Sequence, residues 1–310
     1  MISIKSVASF IPDACVDIQQ RASNLDVSPD FLTNKLGVEK LAVLSEQDET
    51  SDLAVYAIQN LIQNSDIESS DIDCIVLCTQ NPDANGLPHT SAIVHQKLEL
   101  SDNVACFDIS LGCSGYVYGL NIAQGMMLAN HYENVVLVTA DPYSKIIDPA
   151  DRDTAMLFGD AATATWLING PGWTIEQTLL NTRGRSCHHI ENRGGALHMD
   201  GRQVFNFAMT EVPKQVSALL ESNSLDKGDV GRWYLHQGSR FIVENLAKRI
   251  GISLEKVPLG IQYFGNTVSS SIPLMVEKDI SQISAENIVL SGFGVGLSWG
   301  TMLLRNTLTN

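Results

Sequence analysis

The chain repeats one order of helices and strands in its two halves, and this duplication constrains the fold more than any local pattern. The segment SDLAVYAIQNLIQ (51–63) has apolar residues at helical spacing and precedes the apolar segment DCIVLCTQ. In the second half, TEVPKQVSALLES (210–222) precedes RWYLHQGS in the same way. The first half continues with predicted elements at about 90–98, 103–110, 113–130 and 134–141, and the second with elements at about 240–250, 257–264, 268–281 and 287–294. Each series runs helix, strand, helix, strand.

Both series alternate helices with strands that are apolar throughout, a pattern typical of mostly parallel sheets covered by helices on both faces. We therefore expect an α/β fold in which two similar halves pack into one layered body. Gly170-Pro171-Gly172 interrupts the pattern, so the predicted halves are 1–168, which carries the candidate cysteine discussed below, and 169–310. The polar, glycine-rich segment 181–203 is predicted to be a surface loop.

The charge and length of the chain narrow the range of functions. A net charge of −15 over 310 residues argues against nucleic acid or an anionic membrane as the main partner, because both are bound through basic surfaces. No apolar run approaches the ~18 residues that span a bilayer, and the first residues lack the pattern of a secretory signal, so we expect a cytoplasmic protein. In that compartment the six cysteines are expected to stay reduced.

Two groups of residues raise the question of a metal site. Cys74 and Cys78 share a predicted buried strand, but no second pair of ligands follows, so inert core thiols are the better interpretation. His188 and His189 lie in the predicted surface loop, where a solvated pair is expected. We therefore predict that the protein holds no metal.

Three polar residues lie at related points of the two halves. In FDISLGCSGYVYGL, Cys113 stands where a strand leads into a buried helix, and in YFGNTVSSS, Asn266 stands at the corresponding junction of the second half. His236 ends the strand that corresponds to CIVLCTQ. Taken singly, each has a structural interpretation: a buried thiol, a packing histidine and a helix cap. Because strand ends of α/β sheets gather ligands, their joint position favours a Cys/His/Asn catalytic set.

The position of Cys113 suits a nucleophile. A thiol at a helix N-terminus is expected to ionise more readily, and the free N–H groups of the first turn lie near any carbonyl that the sulfur attacks. Gly112 and Gly115 are expected to leave room for an acyl thioester. The C-terminal SGFGVGLSWG lacks the third glycine of a dinucleotide-binding motif, having Trp299 there, and is predicted to be a tight turn that brings backbone N–H groups to the site.

Five segments together resemble a known family. They are FDISLGCSGYVYGL (107–120), GDAATA (159–164), HQGS (236–239), FGNTVSSSIPL (264–274) and GFGVGLSWG (292–300). In order and spacing they resemble the β-ketoacyl-acyl carrier protein (ACP) synthase III family of the thiolase superfamily, over essentially the whole chain. The resemblance implies a duplicated, thiolase-like five-layer αβαβα fold, with two mixed sheets around buried central helices, and a homodimer.

The resemblance also implies a mechanism. Cys113 would be the acylated nucleophile, and His236 and Asn266 would bind the thioester carbonyl of malonyl-ACP while it loses CO2. The resulting enolate would attack the acyl-cysteine, whose oxyanion would face the backbone N–H groups of Cys113 and Val295. The product would be a β-ketoacyl thioester for fatty acid or related polyketide biosynthesis. Coenzyme A (CoA) and ACP would serve as substrates, and no metal or redox cofactor would be required.

Residues at the tunnel mouth depart from the family pattern. The resemblance assigns substrate or CoA binding to Phe31, Lys35, Arg152, Arg202, Phe205, Ser239 and Arg240. Phe31 replaces a usual tryptophan, Lys35 a usual arginine and Arg202 a usual asparagine. Leu87, where a phenylalanine is common, would line the acyl pocket of the neighbouring subunit and admit a longer or branched chain. Lys248 and Arg249 form a candidate docking patch for the acidic carrier protein.

Two other functions remain open from the sequence. One is an acyltransferase of the same superfamily that forms an ester or amide without decarboxylation. The other is a non-catalytic partner of an active paralogue. Retention of both His236 and Asn266 favours condensation over the first alternative, and an intact Cys113 argues against the second. The acyl chain, and the choice between CoA and ACP as its donor, remain open.

Overall fold

The computed structural model describes residues 1–308, and its strands and helices follow the duplicated order. The first half contains β1 (Ile2–Phe10), β2 (Cys15–Asp17), α1 (Ile18–Asn24), β3 (Lys40–Ala42), α2 (Thr50–Asn64), β4 (Cys74–Cys78), α3 (Thr90–Lys97), β5 (Ala105–Ile109), α4 (Gly115–Asn130), β6 (Asn134–Ala140) and β7 (Ala162–Asn169). The second contains β8 (Trp173–Thr182), β9 (Ile190–Arg193), β10 (Ala196–Met199), α5 (Gly201–Ser222), β11 (Val230–Leu235), α6 (Arg240–Ile250), α7 (Ile261–Phe264), α8 (Ser271–Asp279), β12 (Asn287–Gly294) and β13 (Ser298–Asn306).

Each half builds a mixed sheet. In the first, the strand order is β5-β4-β6-β7-β1, with β4 parallel to both neighbours and β7 antiparallel to both of its own. In the second, the order is β8-β13-β12-β11, with β11 and β12 parallel. The two predicted sheets are also joined edge to edge, because β1 pairs with β8 through Ser3–Thr174 and Ile4–Trp173. The hydrogen-bonded order therefore runs through nine strands.

Two buried helices separate the sheets. Helix α4 contacts β4 and β6 on one side and β8, β12 and β13 on the other, while α8 lies between β1 and β7 and the pair β11 and β12. Glycines let α4 approach closely, since a Cβ at Gly119 would lie 2.7 Å from Leu137. Helices α2 and α3 cover the outer face of the first sheet, and α5 that of the second. The five-layer arrangement is confirmed.

Two predicted elements differ from the structure. The segment 257–264 is not a strand: its apolar residues lead into the single turn of α7, and the Gln237 side chain supplies hydrogen bonds to the Pro258 carbonyl and the Gly260 N–H instead of a strand ladder. The segment 181–203 is more ordered than a surface loop. Gly194 and Gly195, both with positive φ, close the β9–β10 hairpin, which buries one apolar side chain from each strand.

The proposed division at 168/169 falls just before the turn that joins β7 to β8, and it stays a prediction. Within residues 1–308, no helix combines the length and apolar character needed to cross a membrane.

Candidate active site

One cavity of about 720 Å³ brings together most of the predicted site residues. Its walls include Cys113, His236, Asn266 and Val295, and towards its outer end Phe31, Lys35, Arg202, Phe205 and Ser239. The inner end lies where β5, β11 and β12 finish: β11 and β12 are neighbours in the second sheet, and β5 is the edge strand of the first.

Cys113 lies between β5 and α4, next to the helix-capping residue Ser114, and is 5% exposed. Burial raises the pKa of its thiol to about 12, and the nearby Asp141 carboxylate adds to the rise. Backbone N–H groups of Val295 and of Cys113 itself reach the sulfur and lower its pKa. Burial therefore opposes the effect expected of the helix N-terminus, and a readily formed thiolate at Cys113 stays a prediction.

Glycines around Cys113 make room for protein atoms. A Cβ at Gly294 would lie 2.7 Å from the Cβ of Cys113, so only glycine allows the C-terminal turn to approach the nucleophile. A Cβ at Gly112 would lie 2.5 Å from Oε1 of Gln80. A Cβ at Gly115 would lie 2.3 Å from the sulfur of Cys78 on β4. The expectation that Gly112 and Gly115 leave room for substrate is wrong, because both face packed side chains.

His236 follows β11 and presents a neutral imidazole to the cavity. Burial lowers its pKa to about 3. Its Nδ1 lies 2.7 Å from Oγ of Ser271, and that oxygen also accepts from the Gln237 N–H at 3.4 Å. If the Ser271 hydroxyl donates its proton to Nδ1, the ring proton lies on Nε2, where it can act as a donor to the cavity. The ring of Phe293 packs edge-on against the imidazole, with centroids 5.3 Å apart.

Asn266 lies in the turn between α7 and α8. Its N–H donates to the carbonyl oxygen of Leu157 at 2.8 Å, and its carbonyl oxygen accepts from the Gly159 N–H at 3.1 Å. Its side-chain Oδ1 accepts from the Val268 N–H at 3.0 Å. Because Oδ1 is engaged, the Nδ2 amide is the group that Asn266 offers to the cavity as a hydrogen-bond donor.

Three consecutive buried serines fasten this turn. The hydroxyl of Ser269 donates to Asp141. That of Ser270 donates to backbone oxygens at the end of β6, at 3.2 Å, and just before β7, at 3.0 Å. Ser271 binds His236, as described. The serine run therefore ties the asparagine turn both to the first half of the chain and to the histidine.

The outer end of the cavity combines a cation with aromatic rings. Nζ of Lys35 lies 3.8 Å from the centroid of the Phe241 ring, and the Phe205 ring stacks on that of Phe241, with their centroids 5.4 Å apart. Phe31 is 38% exposed at the rim. Such a surface suits a ligand with a flat ring and negative charge.

Three predicted substrate residues lie outside the cavity lining. Arg240 forms an ion pair with Glu244, 2.8 Å between Nε and Oε1. Arg152 is exposed beside the mouth, and Leu87 is 86% exposed. Ser239 does line the cavity, but its hydroxyl oxygen caps α6 by accepting a backbone N–H at 3.2 Å. A direct role for these side chains in binding stays a prediction.

The structure adds cavity residues that the sequence argument missed. Tyr143 is buried in the wall near Cys113, donates its hydroxyl proton to Oε1 of Gln80 at 3.1 Å, and packs its ring 5.3 Å from that of Phe158. Asp141 lies just behind. Tyr143 and Asp141 both follow β6 directly, so the strand-end rule that identified the other site residues includes them.

No group of three or more His, Cys, Asp or Glu residues in the described part of the chain, 1–308, is arranged to hold a metal ion. His188 and His189 contact one another, with ring centroids 4.2 Å apart, near the surface.

Comparisons with known proteins identify the family of this chain. The family described as 3-Oxoacyl-[acyl-carrier-protein (ACP)] synthase III matches residues 107–184, and its C-terminal counterpart matches residues 220–306. The chain is 32% identical to beta-ketoacyl-[acyl-carrier-protein] synthase III of Lactobacillus helveticus, over 97% of this chain and 98% of the relative. It is 31% identical to the Limosilactobacillus reuteri protein of that name, over 98% and 99%.

Solved structures show the same fold. The crystal structure of 3-oxoacyl-(acyl carrier protein) synthase III from Pseudomonas aeruginosa superposes with a TM-score of 0.90 and 29% identity, covering 98% of both chains. The thiolase-like fold implied by the resemblance is thus confirmed. With family matches in both halves and relatives aligned over nearly the full length, this chain belongs to the 3-oxoacyl-[acyl-carrier-protein] synthase III family.

Proposed function

We propose that this acyltransferase first transfers an acyl group from an acyl thioester to Cys113 and then condenses it with malonyl-ACP. In the first step the sulfur of Cys113 attacks the thioester carbonyl, a new carbon–sulfur bond forms, and the donor thiol leaves with the proton that Cys113 gives up. The N–H groups of Cys113 and Val295, which reach the sulfur, support the proposal that they bind the oxyanion of this step.

In the second step, malonyl-ACP loses CO2 and forms an enolate. The Nε2–H of His236 and the Nδ2 amide of Asn266 are two neutral donors directed at one cavity, and we assign them to the enolate oxygen. The enolate carbon attacks the acyl-cysteine, giving β-ketoacyl-ACP and releasing the Cys113 sulfur, which regains a proton. This donor pair is the single observation that carries the proposal, because loading of the cysteine alone needs neither side chain.

CoA and ACP enter as substrates, and the reaction as proposed needs no other cofactor. Lys35 and the aromatic rings at the outer end of the cavity offer a pantetheine thioester one cationic and several stacking contacts. Lys248 and Arg249, exposed in the last turn of α6, remain the proposed docking patch for the acidic carrier protein.

We further propose a homodimer in which Leu87 of one copy closes the acyl pocket of the other. Strand β5 ends the sheet and is half-buried along its length, so its open edge is free to pair with another copy. Leu87 projects from the loop that leads into α3, beside β5. Light scattering should give twice the 33.7 kDa of the chain, and a monomer at micromolar concentration would contradict this part of the proposal.

The acylation experiment tests the chemistry. The protein is incubated with acyl-CoA donors, the mass increment on Cys113 is measured, malonyl-ACP is added, and CO2 and β-ketoacyl product are quantified. We expect loading followed by stoichiometric CO2 release. Cys113→Ala should abolish loading, and His236→Ala or Asn266→Ala should reduce condensation more than loading. Acylation without CO2 release would instead support the non-decarboxylating acyltransferase, and no acylation would support the partner role.

The acyl preference is tested in the same assay. If Leu87 of the second copy leaves space in the pocket, the wild-type protein should load longer or branched acyl groups better than Leu87→Phe. An unchanged chain-length profile would show that the length of the acyl chain is limited by residues of the same subunit that line the cavity, such as Tyr143 and Phe158.

A further inference from the structure

Asp141 is a fully buried carboxyl group that the reaction described above does not use. It follows the last residue of β6. One oxygen accepts from the Gln80 N–H at 2.7 Å and from the Thr79 hydroxyl at 3.4 Å. The other accepts from the Ser269 hydroxyl, and the Ser269 N–H also donates to the carboxyl group. All of its contacts are therefore donors from two separate segments.

Within residues 1–308, no Lys, Arg or His forms an ion pair with Asp141. Burial raises its pKa to about 6, although its hydrogen bonds lower it. The protein thus keeps an ionisable group in its interior on hydrogen bonds alone, without a cation to pair with it, and this burial costs free energy of folding. A buried ionisable group that destabilises the fold and lies close behind the nucleophile is a candidate for a functional role in the site.

The two segments that Asp141 joins lead to different residues of the site. Ser269 belongs to the turn that presents Asn266, and Gln80 follows β4 and packs its side-chain oxygen against Gly112, the residue before Cys113. The carboxyl group therefore lies between the nucleophile side and the amide-donor side.

We propose that Asp141 is a positioning residue for condensation: through Ser269 it holds the turn that aims the Nδ2 of Asn266 at the enolate. The inference rests on the proposed function, because it assigns Asn266 to the enolate oxygen. A displacement of this turn by a fraction of an ångström weakens that hydrogen bond. It leaves the first acyl transfer untouched, since the backbone donors of Cys113 and Val295 belong to other segments.

The charge of Asp141 has a second effect. The titratable groups near it are Cys113 at the start of α4, Cys78 on β4 and Tyr143 beyond β6, and its negative charge raises the pKa of each. Removing the charge should lower the pKa of Cys113 and make it more reactive at neutral pH. General loss of structure would also expose the thiol and lower its pKa, so loss of condensation with loading of Cys113 retained is the combination that identifies a positioning role.

The test uses Asp141→Asn, which removes the charge, and Ser269→Ala, which removes the tether and keeps the charge. Both should lower CO2 release from malonyl-ACP at least about 10-fold while Cys113 loading changes less than about 3-fold. In Asp141→Asn the pH midpoint of iodoacetamide alkylation of Cys113 should move to lower pH, and in Ser269→Ala it should stay. The double variant should lose no more CO2 release than Asp141→Asn alone, because the Asp141 carboxyl group and the Ser269 hydroxyl act through the same hydrogen bond.

Glu277→Gln is the matched control. Glu277 lies on α8 and accepts from the N–H and hydroxyl of Ser9, as Asp141 does from Ser269, but its partner lies on β1 and not in the turn that presents Asn266. Its change should leave both the CO2 release and the alkylation midpoint unaltered. Equal losses of loading and condensation in Asp141→Asn and Ser269→Ala, or an unmoved midpoint in Asp141→Asn, would overturn the inference. Wild-type protein that loads but releases no CO2 overturns the proposed function instead, and the alkylation midpoint, which needs no substrate, still measures the effect of the Asp141 charge on Cys113.

Discussion

At His236, the Ser271 hydroxyl contacts Nδ1, and we expect this contact to keep the ring proton on Nε2. Ser271→Ala should remove the partner of Nδ1, allow either tautomer, and lower malonyl decarboxylation at least about 10-fold, with loading of Cys113 retained. CO2 release and the acyl mass increment are measured side by side. Ser3→Ala, which removes a fully buried hydroxyl between β1 and β8, is the control and should change neither. Full condensation in Ser271→Ala would show that the tautomer is set elsewhere.

Also at the residue scale, Cys113 should behave as a protonated thiol at neutral pH. Its raised pKa favours the neutral form, so iodoacetamide alkylation should be slow at pH 7 and accelerate with rising pH, with a midpoint well above the ~8.5 of a free thiol. The rate is followed by mass spectrometry, with exposed Cys187 of the same chain as the internal reference. A midpoint below that of Cys187 would show that the start of α4 dominates over burial.

At the scale of elements, the turn between β12 and β13 depends on glycine at one position. Gly294→Ala would place its Cβ 2.7 Å from Cys113 and should abolish loading or destabilise the fold by about 1–3 kcal/mol. Gly125→Ala is the matched control, since nothing lies within 4 Å of that Cβ on the exposed side of α4, and it should stabilise by up to about 1 kcal/mol. Thermal unfolding and acyl loading check both. Normal loading by Gly294→Ala would contradict the close approach.

The elements also show where sequence patterns succeed. Helices α2, α3, α4 and α6 and strands β4, β6 and β12 lie within a few residues of their predicted bounds, because their apolar spacing reflects faces that are buried in the fold. The segment 257–264 is equally apolar, yet Gln237 replaces its ladder hydrogen bonds by side-chain contacts. That contact joins residues that are distant along the chain, so local periodicity contains no signal for it.

At the scale of the whole molecule, acid should destabilise the fold through His236. Its folded pKa, about 3, lies below the ~6.5 of an unfolded histidine, so its contribution is present above pH 6.5 and is lost as the pH falls. Between pH 7 and pH 5 the loss from this group alone should be about 2 kcal/mol. Denaturant unfolding of wild type and His236→Asn measures it as the difference between their pH slopes. Identical slopes would show that the histidine is hydrated in the folded state.

The sequence alone determined the duplicated α/β architecture and the Cys113, His236 and Asn266 set, because hydrophobic periodicity and strand-end position are properties of residue order. The tertiary structure decided what each group can do. Burial raises the pKa of Cys113 and lowers that of His236, Ser271 contacts Nδ1 of the histidine, and Asp141 binds donors from two separate segments. These properties depend on desolvation and on contacts between distant residues, which exist only once the two halves have packed together.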